Sequence, residues 1–569
     1  MTMDSTDRPL IVQSDRTILL EVDKPGYVEA RDFLALFAEL EKSPEHVHTY
    51  RVTPLSVWNA AASGLSEHEI SSFLERMSRY EVPPNVTREI QENIRKFGLL
   101  KLIHEEATLL LTSEDPRLLE SLSRHASVRA CLEGKVVNGR IPVRAHMRGA
   151  IKQALIKIGF PVEDFAGYTD GAPFRLGLRP GLSRAGVAFD LRAYQRAAAD
   201  IFYSGGTEKG GSGVIVLPCG AGKTIVALAV LDRLQTRTLV LTTNTIAVRQ
   251  WKEELLDKTD VTEADIGEYT GEAKDIRPIT IATYQILTYR RRRSDPFVHF
   301  ELFSADDWGL VVYDEVHLLP APVFRVTADI QAKRRLGLTA TLVREDHKED
   351  EVFSLIGPKK YDVPWKVLEK QGWIAAAHCV EIRIPLPEEL VYAYHAAAPR
   401  DRFRLASENA LKLEVVSHLV GAHKQDLVLV IGQYLDQLAT VAARLQAPII
   451  TGRTPVKERE FLYDRFRRGL IPVLVVSKVG NFAIDLPDAN VAIQLSGTFG
   501  SRQEEAQRLG RILRPKADGG KATFYSLVTR DTREQDFAAN RQLFLTEQGY
   551  TYEIRDITEC LGSQALHRE

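Results

Sequence analysis

Short apolar runs rich in β-branched residues alternate with amphipathic stretches between about residues 185 and 365. The runs read GVIVLP, TLVLTT, ITIATY, LVVYDE and LGLTAT. Apolar runs without polar alternation are typical of strands buried on both faces, which occur in parallel sheets covered by helices. The pattern therefore predicts a parallel α/β domain in this part of the chain.

A second series of the same kind follows between about residues 366 and 555. Its runs read LVLVIG, APII, VLVVSK, VAIQLS and ATFYSLV, and a predicted helix among them holds Phe461, Leu462 and Phe466. The predicted fold class is accordingly α/β, with two parallel-sheet domains in tandem. Ligands of open α/β sheets bind beyond the carboxyl ends of the strands, so we expect the functional site at the cleft between these lobes.

The first 165 residues carry a different mixture of helix and hairpin signals. Thr53 precedes a proline at the first helical position, and Ser66 forms a capping box with Glu69 ahead of an apolar helix face. The segments LLKLI and TLLLT then predict a hairpin. This order indicates an α+β accessory domain. It is either winged-helix-like and DNA-engaging or has no nucleic-acid role, and the residues leave both interpretations open.

Length, charge balance and cysteine spacing limit the classes of protein that this chain can belong to. The 569 residues correspond to about three domains of roughly 100 to 200 residues each. The 74 Lys and Arg nearly balance the 76 Asp and Glu, so any site for a polyanion has to be a local patch. The four cysteines are far apart with no CxxC pair, which argues against a disulfide framework or a zinc site. Such scattered cysteines fit a reducing cytoplasm, and the start of the chain lacks the apolar segment expected of a secreted protein.

A glycine-rich segment, LPCGAGKT at 217–224, follows the first apolar run and precedes a helical pattern. Its glycines let backbone N–H groups approach phosphates, its lysine is placed to reach the β- and γ-phosphates, and its threonine to bind Mg²⁺. Leu217 stands where the full pattern requires glycine, so the match is to the shorter GxGKT form. The order of strand, loop and helix favours a phosphate loop over an ordinary glycine turn. The residues expected to bind nucleotide are Gly220, Ala221, Gly222, Lys223 and Thr224.

An acidic pair ends the LVVYDE run about ninety residues later. Asp314 and Glu315 can divide two tasks there, the first holding Mg²⁺ and the second polarising the water that attacks the γ-phosphate. An acidic pair at a strand end is usually only solvated. Its position after the phosphate loop, within the same predicted sheet, favours hydrolysis of a nucleoside triphosphate.

A basic segment in the second lobe, QRLGRILR at 507–514, carries arginines three residues apart. Arg511 and Arg514 would share one helix face, from which both guanidinium groups could reach one phosphate. Gln507 begins the segment. The alternative is a basic helix face that is merely solvated, which would be the default without a nucleotide-binding partner lobe.

Together these segments resemble the superfamily 2 helicases, and more narrowly the XPB branch in its bacterial form. The matching pieces are LRAYQ, LPCGAGKT, TNTIAVRQW, YTGE, IATYQ, DEVH, LGLTATLVRED, SKVGNFAIDLPDA and GSRQEEAQRLGRILRPK, which cover about 190 to 530. The resemblance implies two RecA-like lobes, an adenine contact by Gln195, a nucleotide contact by Asp485 and arginine fingers at Arg511 and Arg514. It also implies coupling or strand-separating roles for His317, Thr339, Thr341, Arg344, Glu345 and Asp346. Asn481 departs from the acidic residue of many relatives.

DNA contacts are expected from several motif residues that would hold the strand backbone rather than read its bases. The run Arg290 to Arg293 is a further basic cluster, either solvated or gripping phosphates. The expected contacts are Arg249, Gln250, Trp251, Thr270, Gly271, Thr283, Tyr284, Thr451, Gly452, Ser477 and Lys478.

The sequence thus predicts an ATP- and Mg²⁺-dependent DNA helicase or translocase. The resemblance implies 3'-to-5' polarity, a role in DNA repair at the nucleoid and a possible nuclease or repair partner. Two alternatives stay open: a duplex translocase that does not separate strands, and a protein-moving ATPase like SecA. SecA-like chains carry large insertions between these motifs, whereas the spacings here are tight.

Overall fold

A computed structural model gives the fold of the chain. The residues that it describes are 5–42, 46–105, 108–144, 147–165, 170–206, 210–218, 220–292, 298–318, 334–340, 349–363, 365–373, 377–477, 489–496, 522–547 and 552–561. None of the helices within these ranges is long and apolar enough to span a membrane.

Two four-stranded sheets form the N-terminal part. The first has the order β1-β2-β4-β3 and is antiparallel, with strands β1 (Leu10–Val12), β2 (Thr17–Glu21), β3 (Glu39–Lys42) and β4 (Val47–Arg51). The second has the order β7-β6-β5-β8, with strands β5 (Leu100–Glu105), β6 (Thr108–Thr112), β7 (Arg140–Val143) and β8 (Val162–Asp164). Their helices are Tyr27–Phe37, Pro54–Ala62, Glu67–Met77, Pro84–Lys96, Pro116–Ser123, Ala126–Arg129 and Arg148–Lys157.

The local signals read from this region are confirmed. Thr53 Oγ1 accepts a hydrogen bond from Ser56 N at the start of one helix, and Ser66 and Glu69 form the predicted capping box at the next. The predicted hairpin is the antiparallel pair β5 and β6, which places Lys101 opposite Thr112. Each signal depends on neighbouring residues alone, so it can be read without the tertiary fold.

A short hairpin, β9 (Gly181–Leu182) with β10 (Ala188–Phe189), leads into the first parallel sheet. That sheet has the order β13-β14-β12-β15-β16-β11-β17. Its strands are β11 (Ser212–Val216), β12 (Thr238–Thr242), β13 (Ile266–Tyr269), β14 (Ile279–Thr283), β15 (Leu310–Asp314), β16 (Arg334–Thr339) and β17 (Lys359–Asp362). Its helices are Ala193–Tyr203, Lys223–Leu234, Thr245–Lys258, Tyr284–Leu287, Glu349–Leu355 and Trp365–Lys370.

The second parallel sheet has the order β20-β21-β19-β22-β23-β18-β24. Its strands are β18 (Ala377–Ile384), β19 (Val428–Gly432), β20 (Ile449–Ile450), β21 (Val473–Ser477), β22 (Val491–Gln494), β23 (Ala522–Thr529) and β24 (Tyr552–Asp556). The helices that the structure describes here are Glu388–Ala396, Pro399–Ser407, Leu411–Ala422, Leu435–Leu445, Val456–Arg467, Arg533–Glu547 and Ile557–Leu561.

The two parallel sheets share one topology. When the strands of each sheet are numbered along the chain, both orders read 3-4-2-5-6-1-7. The predicted α/β fold with two parallel-sheet, RecA-like domains is therefore confirmed. In each sheet the first strand lies beside the sixth, and the sixth beside the fifth, so the carboxyl ends of these three strands meet at one place.

The N-terminal part packs directly on the first parallel lobe. Trp58 contacts Phe353 with ring centroids 6.3 Å apart, and the amide of Lys359 on β17 donates to the Asn59 side chain at 2.9 Å. Nearby, Asp164 accepts hydrogen bonds from the buried Lys152 side chain at 2.7 Å and from a buried arginine. This packing covers part of the edge strand β17.

Candidate active site

The phosphate loop joins the carboxyl end of β11 to the helix Lys223–Leu234. Gly222, at the N-cap of this helix, has a φ of 81°, and a Cβ there would lie 2.5 Å from Gln195 Nε2. The site therefore requires glycine for its backbone conformation and for its close packing. The helix N-terminus points backbone N–H groups and the positive end of the helix dipole toward the loop, which together favour a bound phosphate. Within this loop, Cys219 lies outside the described residues.

Two side chains from the helix Ala193–Tyr203 hold the phosphate loop. Gln195 Nε2 donates to the Ala221 carbonyl at 3.0 Å, and the Tyr194 hydroxyl donates to the same oxygen at 2.7 Å. Gln195 Oε1 also accepts from the Arg192 amide at 3.0 Å. With only 4% of the residue exposed, the Gln195 amide is packed against the loop that it supports. Tyr194 was not predicted, although it stands next to Gln195 in the LRAYQ segment.

Arg192, the N-cap residue of the same helix, lies against the ring of Trp373. The Arg192 guanidinium lies 4.4 Å from the centre of the Trp373 ring, close enough for a cation–π contact. This pair was not predicted either, because the two residues are far apart along the chain and belong to no motif.

The acidic pair faces the phosphate loop. Lys223 Nζ lies 3.4 Å from Glu315 Oε1, and their side chains are only 11% and 19% exposed. Asp314 ends β15, and Thr224 begins the phosphate-loop helix beside Lys223. The structure thus places the predicted lysine and the predicted water-polarising carboxylate within reach of one another.

The chemistry of these donors suits a hard cation. An aspartate and a threonine hydroxyl offer the oxygen ligands that Mg²⁺ prefers, usually alongside waters and substrate phosphates. Among the described residues, no group of three or more His, Cys, Asp or Glu side chains could hold a metal by itself. A cation bound here would therefore take further ligands from water and the substrate.

Burial and nearby charges shift the pKa of Asp314. Desolvation, followed by the negative charge of Glu315, raises the pKa of Asp314 to about 6. The Trp251 indole and Lys223 act in the opposite direction. Trp251 Nε1–H donates to Asp314 Oδ2 at 2.8 Å.

Glu315 adopts an unusual backbone conformation. Its φ is 50°, in the left-handed region that non-glycine residues rarely occupy. The turn is closed by a hydrogen bond from the Leu318 amide to the Glu315 carbonyl at 2.8 Å. Such backbone strain is concentrated at functional sites, where the surrounding structure maintains it.

His317 connects this turn to the adjacent strand. Its Nδ1 lies 2.8 Å from Thr339 Oγ1, at the carboxyl end of β16, and 3.5 Å from Glu315 Oε2. The histidine side chain is 1% exposed. The structure therefore brings two of the predicted coupling residues together and places them against the acidic pair.

The predicted DNA contacts divide into an exposed group and a buried group. The exposed residues are Arg249, Gln250, Gly271 and Gly452, and Thr451 is half-buried. The buried residues are Trp251, Thr270, Thr283, Tyr284 and Ser477.

Four of the five buried residues have internal hydrogen-bond partners instead of a solvent-facing surface, whereas Ser477 Oγ has no hydrogen-bond partner among the described residues. Thr283 Oγ1 accepts from the Ile286 amide, and Thr270 Oγ1 accepts from the Ala273 amide.

The predicted DNA contact at Trp251 needs correction, since the ring lies on the core-facing side of its helix and its indole N–H donates a hydrogen bond to Asp314. Tyr284 is likewise buried and donates to the Asp314 carbonyl at 2.9 Å. Burial raises the pKa of Tyr284 well above its usual value, so the hydroxyl stays protonated.

Several predicted site residues lie outside the described residues, so the structure says nothing of their positions. They are Thr341, Arg344, Glu345, Asp346, Lys478, Asp485, Gln507, Arg511 and Arg514.

The phosphate loop after β11, its lysine paired with the glutamate after β15, and a second lobe of the same topology define a P-loop nucleoside triphosphatase with tandem RecA-like domains. A family model described as ERCC3/RAD25/XPB C-terminal helicase matches residues 368–567, and one described as type III restriction enzyme, res subunit, matches 188–344. The chain belongs to the XPB family of helicases, as its relatives show. The predicted resemblance to this family is therefore confirmed.

The relatives match over nearly the whole chain. "DNA 3'-5' helicase XPB" of Kineococcus radiotolerans is 54% identical, over 98% of each chain. The protein of the same name from Mycobacterium tuberculosis is 53% identical, over 98% of this chain and 99% of that one. The "General transcription and DNA repair factor IIH helicase/translocase subunit XPB" of Antonospora locustae is 34% identical, over 99% of this chain and 83% of that one.

A third family model, described as helicase conserved C-terminal domain, matches residues 10–136. This range covers the first N-terminal sheet and strands β5 and β6 of the second, rather than a seven-stranded parallel lobe. The match therefore does not add a third RecA-like lobe to the chain.

Proposed function

We propose that this protein is an ATP-dependent DNA helicase or translocase of the XPB type that moves 3'-to-5' along DNA and acts in DNA repair. The observation that carries the proposal is the Lys223–Glu315 pair at the phosphate loop, in a chain that matches two relatives named DNA 3'-5' helicase over almost its full length. We expect the protein to act on DNA at the nucleoid, in the cytoplasm. We also expect it to act together with a nuclease or another repair partner.

ATP is the substrate of the phosphate loop. The helix N-terminus and Lys223 bind the phosphates, and their entry separates Lys223 from Glu315. Glu315 then polarises the attacking water. Thr224 and Asp314 would hold Mg²⁺, which would neutralise the charge that develops on the phosphates.

The second lobe completes the site by closing on the nucleotide. Arg511 and Arg514 act as arginine fingers on the γ-phosphate, Gln507 is a further catalytic residue, and Asp485 contacts the nucleotide. An arginine finger can contribute roughly 10³ to 10⁵ in rate. Hydrolysis removes this electrostatic bridge and reopens the lobes, so their grip on DNA alternates.

The coupling segments link this cycle to the DNA strand. His317 and Thr339 transmit the state of the acidic pair to Thr341, and Arg344, Glu345 and Asp346 act where the strands separate. In this scheme the chain divides into an accessory unit at 1–165 and two motor lobes at 185–365 and 366–555.

Measurements of ATP turnover with single-stranded, forked and duplex DNA test the proposed function. We expect single-stranded or forked DNA to raise turnover, and forked substrates with a 3' tail to be unwound. Displacement of a triplex strand without unwinding would instead indicate a duplex translocase. If no DNA raises turnover, the chain is not a nucleic-acid motor, and a protein-moving ATPase becomes the better hypothesis.

Gln195 is expected to select adenine. In Gln195→Ala, the KM for ATP should rise about tenfold, since the base loses its hydrogen bonds to a buried amide. The preference for ATP over GTP should fall in the same measurement. Tyr194→Phe is the matched control, because it removes the other hydrogen bond to the Ala221 carbonyl and leaves Gln195 in place. Equal loss of ATP preference in both variants would show that Gln195 only supports the loop.

Proton binding to Asp314 should compete with Mg²⁺. Because its pKa is raised to about 6, the carboxylate is ionised at pH 7.5 and becomes protonated below pH 6. The Mg²⁺ concentration for half-maximal turnover, corrected for metal bound to free ATP, should therefore rise about tenfold per pH unit below the pKa. A Mg²⁺ requirement that stays constant between pH 7.5 and 5 would contradict this role.

A further inference from the structure

Asp314 is held by two side chains from outside its own strand. The Trp251 indole, on the helix Thr245–Lys258, donates to Asp314 Oδ2 at 2.8 Å. The Tyr284 hydroxyl, on the helix Tyr284–Leu287, donates to the Asp314 carbonyl at 2.9 Å. One bond orients the carboxylate and the other fixes the backbone that carries it.

The strand order explains why these two helices converge on one residue. Strand β12 lies between β14 and β15, and the helix that follows β12 carries Trp251. The helix that follows β14 carries Tyr284. Both helices therefore begin at the carboxyl edge of the sheet, next to the end of β15 where Asp314 lies.

Each donor is a chain neighbour of exposed polar residues. Arg249 and Gln250 directly precede Trp251 and are exposed, and Gln285 directly follows Tyr284 and is exposed. The two aromatic side chains themselves are 2% and 3% exposed. In each helix, an exposed polar residue thus lies next to a buried aromatic residue that donates a hydrogen bond to Asp314.

We propose that Trp251 and Tyr284 are positioning residues, which transmit the binding of a DNA strand at these exposed segments to the placement of the Asp314 carboxylate. This inference rests on the proposed function and assigns both residues a role other than DNA contact. A displacement of either helix by a few tenths of an ångström changes the length and angle of its bond, and hydrogen bonds weaken steeply with both. DNA binding thereby orients the group that holds Mg²⁺ and raises turnover.

The test removes the indole N–H and measures Mg²⁺ use, DNA stimulation and DNA affinity separately. In Trp251→Phe, the Mg²⁺ concentration for half-maximal turnover should rise about tenfold, which is the usual scale for removing a partner of a metal ligand. Stimulation of turnover by single-stranded DNA should fall by a similar factor. The dissociation constant for the same DNA should change less than about twofold, because the ring does not face the strand.

Trp308→Phe is the matched control. Trp308 is also 2% exposed in the same lobe, and its indole donates to the Leu302 carbonyl at 3.0 Å rather than to Asp314. We expect this variant to keep wild-type Mg²⁺ use and DNA stimulation. Tyr284→Phe, which removes only the hydroxyl, should reduce DNA stimulation with little change in thermal stability.

A second variant covers the case in which phenylalanine at position 251 prevents folding. Benzothienylalanine has the shape of tryptophan but no N–H donor, and its introduction at position 251 should reproduce the loss of DNA stimulation in a folded protein. If Trp251→Phe or this analogue behaves like Trp308→Phe, the inference is wrong. It is also wrong if DNA affinity falls in proportion to the lost stimulation, which would make Trp251 a DNA contact. Absence of DNA stimulation in the wild-type protein would instead contradict the proposed function.

Discussion

Glu315→Gln should lower ATP turnover by about 10²- to 10⁴-fold, the range typical of a lost general base. Glutamine keeps the shape of the side chain but cannot draw a proton from the attacking water. It also retains an oxygen that can accept hydrogen bonds within the turn, so the fold should persist. Single-turnover hydrolysis of ATP, with and without DNA, measures the effect.

Lys223→Ala separates chemistry from binding in the same experiment. The lysine lies 3.4 Å from Glu315 and is placed to bind phosphate, so its loss should weaken both nucleotide affinity and hydrolysis. Glu315→Gln should bind ATP about as tightly as the wild type, and both variants should bind DNA normally. Substantial residual turnover in either variant would contradict the role assigned to its residue.

Lys412→Met should destabilise the second lobe by about 3 to 5 kcal/mol, the usual effect of leaving one partner of a buried ion pair uncompensated. Lys412 Nζ donates to both Glu534 oxygens at 2.8 and 2.7 Å and to the Leu495 carbonyl at 2.8 Å. Both charged side chains are fully buried. Hydrogen exchange of the β18 and β23 amides should accelerate by about 10²- to 10⁴-fold.

The double variant Lys412→Met with Glu534→Gln tests whether charge is the cause. It removes both charges and keeps an oxygen that can accept the hydrogen bond from the Thr529 amide, which Glu534 accepts at 2.9 Å. Most of the lost stability should return, and the double-mutant cycle gives the coupling energy. If the double variant is as unstable as Lys412→Met alone, lost packing rather than unpaired charge explains the effect.

The sequence predicts the central strands of both parallel sheets but misses several others. β11, β12, β15 and β19 are uninterrupted apolar runs, which only a doubly covered sheet explains. The edge strands β13, β17 and β24 read IGEY, KKYD and YEIRD, and edge strands tolerate charge because one side meets solvent. β18 contains a buried Glu381 that pairs with Arg383, so its apolar pattern is broken by an interaction that the sequence does not show.

The candidate site could likewise be predicted from the sequence only in part. The phosphate loop and the acidic pair are local patterns, and their spacing was enough to predict that Lys223 and Glu315 belong to one site. The contacts of Trp251 and Tyr194 depend on which helix face is buried, and a motif does not specify that. Both lie in recognisable motifs, but a motif alone does not show which groups they contact.

The shared strand order has a further consequence for stoichiometry. In the first lobe, the ends of the fifth and sixth strands carry Glu315 and Thr339, which belong to the candidate site. In the second lobe, the corresponding ends carry Leu495 and Thr529, whose backbone groups are bonded by Lys412 and Glu534. In the second lobe, the Lys412–Glu534 ion pair thus occupies the position that corresponds to the candidate site of the first lobe. Equilibrium dialysis should therefore find one nucleotide per polypeptide rather than two.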